Sequence, residues 1–379
     1  MKRFLLVSAS TGTGHIRASE AVREALARAE PAAEVEHVDL LDLAPSWVRG
    51  AYGGGYELLA TKAPRVWGHV YQQTDGQGPD RARWSPLARR LLFREFQRLL
   101  AAERWDACLS THFLPCQLLT RDPNRPPLAL AITDFTLHKF WVQPGVRDYF
   151  VATDKLAAEL TTRVPGAVAH ATGIPVSPAF ETPSTRSVAR TKLALNGTQQ
   201  VVLVVGGGLG VGIHEMTKAA LAGSPPEVQL IAVCGRNGEA RCALEALDLP
   251  AKRLRVEGFV RNTQDYITAA DLVVTKPGGL TISEALALSR PLVLTRPIPG
   301  QEVGNTRELV AAGAALSAAD PLELQTVLAN VLGDEQLLRG IGAAARRLSR
   351  PSAARDVVSV LMRLAGERAT FSSALPHAG

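Results

Sequence analysis

The sequence predicts an α/β protein built from two doubly wound domains that face each other across a cleft. Short apolar segments alternate with longer segments of helical periodicity, which is typical of a parallel sheet covered by helices. This alternation occurs once in each half of the chain. The length of 379 residues also exceeds the roughly 250–300 residues that a single hydrophobic core usually serves. Two domains are therefore expected.

The first half of the chain begins with a buried strand. Its apolar residues stop after 4–7 and lead into a glycine-rich turn, which favours a strand over a signal peptide. The expected strands are 4–7, 35–40, 107–110, 128–132 and 149–152, with a helix at 18–29 after the first of them. From about Trp47 to Trp105 the chain changes character, because it is rich in aromatic residues and arginine.

The second half repeats the alternation of strands and helices. Its expected strands are 201–205, 230–234, 254–257, 272–275 and 291–294. Pro, Ser and Thr cluster without periodicity between the two series, which indicates a linker. We therefore predict an N-terminal domain at 1–172, a linker at 173–190, a C-terminal domain at 191–368 and a loose tail at 369–379.

Composition and charge limit the class of partner. The 42 Lys and Arg against 36 Asp and Glu give a net charge of +6, which favours anionic partners such as phosphates, nucleic acid or membrane headgroups. No recognition helix or aromatic RNA-binding motif is visible, so nucleic acid is not expected. The four cysteines form no CxxC pair, which argues against a zinc site or a disulfide framework and favours a reducing cytoplasm. No segment approaches the roughly 20 apolar residues that span a bilayer.

The first glycine turn places a histidine at the start of a helix. Gly12-Thr13-Gly14-His15 follows the first strand, but Arg17 occupies the place of the third glycine of a dinucleotide fingerprint, and no Walker lysine is present. A helix N-terminus disfavours imidazolium, so His15 could act as a neutral general base. The alternative is an ordinary histidine in the first turn of a helix.

A second glycine turn follows the strand at 201–205. Gly206, Gly207 and Gly208 expose backbone N–H groups without side-chain hindrance, which suits a diphosphate. The alternative is a tight turn that serves packing alone.

Two polar segments follow later strands of the second half. The first is Lys276-Pro277-Gly278-Gly279, which leads into a helix near Thr281, and Glu284 could accept hydrogen bonds from ribose hydroxyls. A capping box between Thr281 and Glu284 is the alternative. The second is a loop with three polar side chains suited to a sugar, and its alternative is a polar surface loop. Those side chains are Gln301, Glu302 and Asn305.

Taken together, these motifs resemble the monogalactosyldiacylglycerol synthase and processive diacylglycerol glucosyltransferase family, which is related to the peptidoglycan transferase MurG. The resemblance runs from the first strand to about Leu364. It implies two Rossmann-like domains (the GT-B fold) and an inverting, metal-independent transfer in which a UDP-sugar is the donor substrate and no cofactor is needed. No Asp-x-Asp metal motif is visible in the chain.

The resemblance also implies roles for individual residues. His15 matches the base that deprotonates the acceptor hydroxyl, and Asp134 and His138 match residues on the acceptor side. The donor-binding set implied by the resemblance and by the glycine turns is Gly14, Gly207, Gly208, Phe259 and Val260 at the uracil, Lys276, Gly278, Gly279, Thr281 at a phosphate, Glu284 at the ribose, and Gln301, Glu302 and Asn305 at the sugar. One departure concerns the diphosphate: where MurG-like chains carry an arginine after the linker motif Gly173-Ile174-Pro175-Val176, this chain has Ser177 and Pro178. Helix ends, glycine N–H groups or Lys276 must then meet the diphosphate charge.

A basic and apolar segment at 81–98 could contact a membrane. It holds six arginines and one glutamate, a net charge of +5, with leucine and phenylalanine interleaved at helical spacing. Such a helix can lie in the headgroup plane of an anionic membrane. The alternative is a packed helix with a solvated basic face.

The expected function is transfer of glucose or galactose from UDP-glucose or UDP-galactose to a diacylglycerol-type lipid, by an enzyme attached peripherally to the inner face of the cell membrane. Three alternatives stay open. They are MurG-like transfer of N-acetylglucosamine to a polyprenyl-linked or a soluble acceptor, epimerisation of a UDP-sugar on the same fold, and binding of a UDP-sugar or a lipid without turnover.

Overall fold

The computed structural model describes residues 1–10, 12–51, 69, 73, 91–120 and 125–373. These residues form two compact units. The first comprises Met1–Pro178 and Ser352–Gly379, and the second comprises Ala179–Pro351.

The first unit contains a six-stranded parallel sheet in the order β2-β1-β3-β4-β5-β6. Its strands are β1 (Arg3–Ser8), β2 (Glu34–Asp39), β3 (Ala107–Ser110), β4 (Leu128–Ala131), β5 (Asp148–Phe150) and β6 (Val168–His170). The five strands that the sequence predicts are confirmed. The sixth was missed because Val168–His170 is three residues long and half-buried at the sheet edge, so it lacks an apolar run.

The helices of the first unit cover this sheet. Among the described residues before the linker, they include α1 (Thr13–Ala29), α2 (Ser46–Arg49), α3 (Arg94–Ala102), α4 (Phe113–Leu119) and α5 (Asp154–Arg163), with a 3-10 turn at Lys139–Trp141. Helix α1 buries a stripe of Ala18, Ala21, Val22, Ala25 and Leu26, whose spacing of three and four residues places them on one face.

The second unit contains another six-stranded parallel sheet, in the order β12-β11-β10-β7-β8-β9. Its strands are β7 (Val201–Val205), β8 (Gln229–Val233), β9 (Leu254–Glu257), β10 (Leu272–Thr275), β11 (Leu292–Thr295) and β12 (Ala315–Ala318). Five of them were predicted. Strand β12 was missed because Ala-Leu-Ser-Ala contains no β-branched residue and only two of its four positions are buried.

The helices of the second unit are α6 (Arg186–Lys192), α7 (Ile213–Gly223), α8 (Gly238–Glu245), α9 (Thr263–Ala269), α10 (Gly279–Ala287), α11 (Gln301–Ala311), α12 (Pro321–Leu332) and α13 (Glu335–Arg347). The core joins the sheet residues Val202, Val204 and Leu230 to apolar side chains of the helices. Gly223 of α7 allows close packing, because a Cβ atom there would lie 2.5 Å from the backbone oxygen of Gln325 in α12.

The last helix, α14 (Ala353–Ser373), belongs to the first unit, whereas the sequence placed residues up to 368 in the C-terminal domain. Its Val357, Val358 and Leu361 pack in one core with Phe4 and Leu109 of the first sheet. Helical periodicity shows that α14 has an apolar face, but it does not show which sheet that face covers. The helix also continues into the segment after 369 that the sequence predicted as a loose tail.

Both sheets reverse their strand order beside their first strand, between β1 and β3 and between β7 and β10. In open α/β sheets, ligands bind beyond the carboxyl ends of the strands at such a switch point. The first glycine turn follows β1 and the second follows β7, so each lies at the switch point of its own sheet.

The predicted membrane segment is described only in part. Residues 81–90 lie outside the described residues. Of the rest, Phe93 and Phe96 are buried in the first unit, and Leu91 is exposed. Within the described part of the chain, no helix combines the length and the apolar character that crossing a bilayer requires.

Candidate active site

His15 lies in the first turn of α1, at the carboxyl end of the first sheet, next to Gly14. Its Nδ1 atom lies 2.8 Å from the backbone oxygen of Thr111, which follows β3. The hydroxyl oxygen of Thr133, two residues after β4, lies 3.0 Å from the same nitrogen. Three strand ends therefore converge on one imidazole.

These contacts determine the tautomer of His15. A carbonyl oxygen can only accept a hydrogen bond, so Nδ1 must carry the proton and donate it to Thr111. In the neutral ring, the lone pair is then on Nε2. Burial lowers the pKa of His15 to about 4, although the bond to the Thr111 carbonyl opposes this shift. Near pH 7 the ring is neutral, with Nε2 able to accept a proton.

Thr111 also fixes the backbone of His15. Its hydroxyl group donates to the backbone oxygen of His15 at 2.9 Å. Since that proton is used, the hydroxyl of Ser19, which lies 2.9 Å from the Thr111 oxygen, acts as the donor in their contact. The carbonyl of Thr111 thus orients the imidazole and its side chain holds the helix turn that carries it.

An aromatic wall lies beside His15. The ring of His112 meets it edge-on, with ring centroids 4.7 Å apart, and the ring of Trp141 lies 6.1 Å away. Phe113 stacks on His112 at 4.1 Å and on Phe140 at 5.1 Å. Burial, and then the nearby His15, lower the pKa of His112 well below its usual value. This wall is suited to the apolar part of an acceptor.

Asp134 and His138, the two other residues predicted on the acceptor side, make different kinds of contact. Asp134 accepts a hydrogen bond at 3.2 Å from the indole N–H of Trp141, which connects it to the aromatic wall. His138 is 2% exposed, and its Nδ1 accepts from the backbone N–H of Phe140 at 3.2 Å. It thereby caps the 3-10 turn, which is a structural contact.

In the second unit, the glycine turn after β7 interlocks with the loop after β8. Gly210 has a φ of +65°, and a Cβ atom there would overlap the backbone oxygen of Cys234. The backbone N–H of Arg236 donates to the oxygen of Gly208 at 3.0 Å. The side-chain amide of Asn237 donates to the oxygen of Gly210 at 3.1 Å. Only glycine permits this approach, so the turn serves packing, and its role at a phosphate stays a prediction.

Lys276 joins the glycine turn to α11. Its Cε lies 3.4 Å from the position that a Cβ of Gly207 would take, and its Nζ lies 2.5 Å from Oε1 of Glu302. The other carboxylate oxygen of Glu302 accepts from the backbone N–H of Ile298 at 2.8 Å. A Cβ at Gly278 would lie within 4 Å of both charged groups. The Lys276 charge is therefore already balanced by a buried carboxylate.

The segment that carries Gln301, Glu302 and Asn305, predicted as a loop, is a helix in the structure. Helix α11 begins at Gln301, directly after Gly300, whose φ is +106°. Glu302 and Asn305 are buried in it. The amide of Asn305 donates to the backbone oxygen of Pro277 at 3.1 Å, which ties α11 to the turn after β10. Gln301 is half-buried at the helix start.

The capping box weighed for Thr281 and Glu284 is wrong. Helix α10 already begins at Gly279, its N-cap is Gly278, and no side chain caps it. Both residues therefore lie inside the helix, and Glu284 is 1% exposed. The contact of Glu284 with the ribose stays a prediction.

Phe259 follows β9 and is 55% exposed, with the half-buried Val260 after it. The guanidinium carbon of Arg236 lies 5.5 Å from the centroid of the Phe259 ring, which is a cation–π contact. An exposed aromatic ring at the carboxyl edge of a sheet is suited to a nucleobase.

Among the residues that the structure describes, no three His, Cys, Asp or Glu side chains are grouped closely enough to hold a metal ion.

Sequence reasoning missed several residues of these clusters. Thr111 and His112 directly follow a fully buried strand, and polar residues at that place were a usable signal. Thr133 and Trp141 lie within the segment that carried Asp134 and His138. Arg236 gave no signal, because its contact with Phe259 exists only after β8 and β9 have paired.

Comparison with known proteins gives two family matches. The model of the monogalactosyldiacylglycerol (MGDG) synthase family matches residues 15–176, and the model of the glycosyltransferase family 28 C-terminal domain matches residues 201–338. A processive diacylglycerol beta-glucosyltransferase of Bacillus cereus is 30% identical over 275 residues, which cover 71% of this chain and 70% of the relative. The protein of the same description from Bacillus anthracis has the same identity and coverage.

Solved structures share the fold. MurG of Acinetobacter baumannii has a TM-score of 0.63 at 19% identity, covering 96% of this chain and all of that one. HepE of Anabaena, in complex with UDP-glucose, has a TM-score of 0.57 at 16% identity, covering 98% of this chain and all of that one. A putative UDP-N-acetylglucosamine 2-epimerase of Listeria monocytogenes has a TM-score of 0.62 at 14% identity, covering 94% of each chain. These similarities show the fold alone.

Proposed function

This chain belongs to the family of glycosyltransferases that includes the processive diacylglycerol beta-glucosyltransferases, and from this premise we propose that it transfers a hexose from a UDP-hexose to diacylglycerol or a related membrane lipid. The donor is UDP-glucose or UDP-galactose, and the product is a β-glycolipid. The acceptor is a membrane lipid, so the proposal includes peripheral attachment to the inner face of the cell membrane.

The observation that carries the proposed mechanism is the protonation state of His15. Nδ1 is committed to the Thr111 carbonyl, so Nε2 holds a lone pair in a ring that stays neutral near pH 7. In the proposed step, Nε2 takes the proton of the lipid hydroxyl while its oxygen forms a bond to C1 of the hexose. The bond from C1 to the diphosphate oxygen breaks, UDP leaves with that electron pair, and the anomeric configuration inverts.

Donor binding is assigned to the second unit, except for the contact predicted for Gly14, which lies next to His15 in the first unit. The diphosphate is assigned to the N–H groups of Gly207 and Gly208, together with Thr281 in the first turn of α10. N–H donors held in place before reaction stabilise the charge that grows on the leaving group. Glu284 is assigned to the ribose hydroxyls and the Phe259–Val260 segment to the uracil.

The sugar contacts of this proposal involve α11. Gln301, the first residue of α11, is assigned to the hexose. Glu302 and Asn305 do not contact the sugar in this proposal but position the site, Glu302 through its ion pair with Lys276 and Asn305 through its hydrogen bond to the Pro277 carbonyl. The buried partners of Glu302 and Asn305 support this division, because both side chains already have contacts within the protein.

The experiment that tests the proposed function is a donor-by-acceptor matrix. The purified full chain is incubated with UDP-glucose, UDP-galactose or UDP-N-acetylglucosamine and with vesicles that contain diacylglycerol or a polyprenyl-linked acceptor. Products are identified by mass spectrometry, and the anomeric configuration is determined by NMR. We expect a β-hexosyl diacylglycerol and UDP, with equal yield in EDTA since no step uses a metal ion.

Each alternative function predicts a different set of products in this donor-by-acceptor assay. Transfer of N-acetylglucosamine to the polyprenyl-linked lipid would indicate a MurG-like reaction. Conversion of a UDP-sugar in the absence of acceptor would indicate an epimerase. UDP binding without any product would indicate a binding protein. An α-linked glycolipid would contradict the inverting mechanism.

A further inference from the structure

Two positions were expected to bring a cation to the diphosphate of the nucleotide sugar, and neither of them supplies an unpaired positive charge. The position after the linker motif holds Ser177 and Pro178 instead of an arginine. Ser177 is also engaged elsewhere, because its hydroxyl donates to Glu24 at 2.8 Å. Lys276 lies at the glycine turn, but its ammonium group is 2.5 Å from the buried Glu302 carboxylate. That pair has no net charge to offer.

Arg236 lies at the centre of the predicted donor site. Strand β8 lies between β7 and β9 in the sheet, and Arg236 is in the loop that follows β8. The glycine turn follows β7 and Phe259 follows β9. A UDP molecule with its diphosphate at the glycine turn and its base at Phe259 would therefore pass the β8 loop.

Arg236 contacts both the glycine turn after β7 and Phe259 after β9, the first through its backbone and the second through its side chain. Its N–H donates to the oxygen of Gly208 at 3.0 Å, and its guanidinium carbon lies 5.5 Å from the Phe259 ring centroid. The backbone contact fixes where the side chain begins, and the aromatic ring favours a planar cation over its face. The side chain of Arg236 therefore starts at a backbone that contacts the glycine turn, and its guanidinium lies at the ring that follows β9.

The charge of Arg236 is not balanced within the described residues. No Asp or Glu carboxylate among them lies within 4 Å of its guanidinium, and the side chain is exposed. A second arginine near the glycine turn is Arg296, which packs against Gly212. It has a carboxylate partner, because its guanidinium lies 3.7 Å from Glu215. Arg236 thus carries a positive charge that can pair with an added anion.

We propose that Arg236 binds the diphosphate of the nucleotide donor, with the ring of Phe259 holding its guanidinium in place. This inference rests on the proposed use of a UDP-sugar. A guanidinium presents its N–H donors in a planar fork that suits phosphate oxygens, and its charge also stabilises UDP as the leaving group. In this chain the function of the missing linker arginine is moved to the β8 loop.

The test compares the affinities of variants for UDP and for uridine, which share the nucleoside but not the charge. Arg236→Met keeps the apolar stem against Phe259 and removes the charge, while Arg236→Lys keeps the charge and removes the planar fork. Arg339→Met is the matched control, because it removes an exposed arginine on α13 whose partner is Glu335. Dissociation constants are measured by calorimetry for UDP and by ligand-observed NMR for uridine.

We expect Arg236→Met to weaken UDP binding about 10- to 100-fold, the usual range for losing a hydrogen-bonded charged group, and to leave uridine binding unchanged. Arg236→Lys should fall between Arg236→Met and the wild type, and Arg339→Met should match the wild type. Added salt should weaken UDP binding more in the wild type than in Arg236→Met. Retained uridine binding shows that the variant site is folded.

Two results would overturn the inference while leaving the proposed function intact. One is wild-type UDP affinity in Arg236→Met. The other is an equal loss for UDP and uridine, which would place Arg236 at the nucleoside. Failure of the wild-type protein to bind UDP at all would instead contradict the proposed function, and this inference with it.

Discussion

At the scale of single residues, the state of His15 depends on a partner 96 residues away in the sequence. The sequence was sufficient to predict a histidine at a helix start after a strand. It could not predict which nitrogen carries the proton, because that is set by the Thr111 carbonyl, and a backbone carbonyl leaves no mark in the sequence. Thr133 was visible as a polar residue after a strand, but its contact with Nδ1 depends on how β3 and β4 pair.

The depressed pKa of His15 predicts a particular pH dependence. The free enzyme should keep a constant kcat/KM from about pH 8 down to pH 6, and lose activity as the pH falls toward the His15 pKa of about 4, because protonation removes the base. The pH profile of kcat/KM for lipid transfer measures this, with circular dichroism at each pH to show that the protein remains folded. An acidic limb centred near pH 6.5, the usual value for histidine, would contradict the environment described for this ring.

The same shift has a consequence for stability. The folded state holds His15 neutral at pH values where the unfolded chain, with a pKa near 6.5, binds a proton. The unfolded state therefore binds more protons between about pH 6.5 and 4, so the stability that His15 contributes is present above this window and is lost as the pH falls through it.

At the scale of elements, the two glycine turns were recognisable from sequence, since each follows a buried strand. What the sequence did not show is that the second turn is locked to the loop after β8 through Gly210 and Asn237. Helix α14 presents the same limit, because its apolar stripe was visible and its partner sheet was not. The periodicity of apolar residues describes the surface of one helix or strand, whereas packing depends on that surface and on the surface that it contacts.

A pair of glycine substitutions tests the interlock of the turn and the loop. Gly210→Ala forces a side chain into φ +65° and against the Cys234 oxygen, and should cost roughly 2–5 kcal/mol of unfolding free energy and weaken UDP binding. Gly238→Ala in the first turn of α8 is the control, because a Cβ there meets nothing within 4 Å and its φ is not positive, so little change is expected. Urea denaturation and calorimetry with UDP measure both effects. Equal behaviour of the two variants would show that the interlock does not matter.

At the scale of the whole molecule, the two parallel sheets and their switch points could be predicted because strand and helix patterns alternate twice along the chain. The positions of both glycine turns then follow from topology. The charge balance of the donor site could not be predicted in this way, because the Lys276–Glu302 pair and the Arg236–Phe259 contact join residues that follow different strands of the sheet. A residue type that is suited to a ligand is also suited to a partner in the protein, and only the structure separates the two.

The most direct test of the central claim is the single-turnover rate of hexose transfer by His15→Gln, compared with the wild type at saturating donor and acceptor. If Nε2 of His15 is the base, the rate should fall about 10²- to 10⁴-fold while the dissociation constant for UDP stays unchanged, because the residues proposed to contact UDP, apart from the backbone of Gly14, belong to the second unit. Transfer at the wild-type rate in His15→Gln would contradict the claim that this imidazole removes the proton of the acceptor.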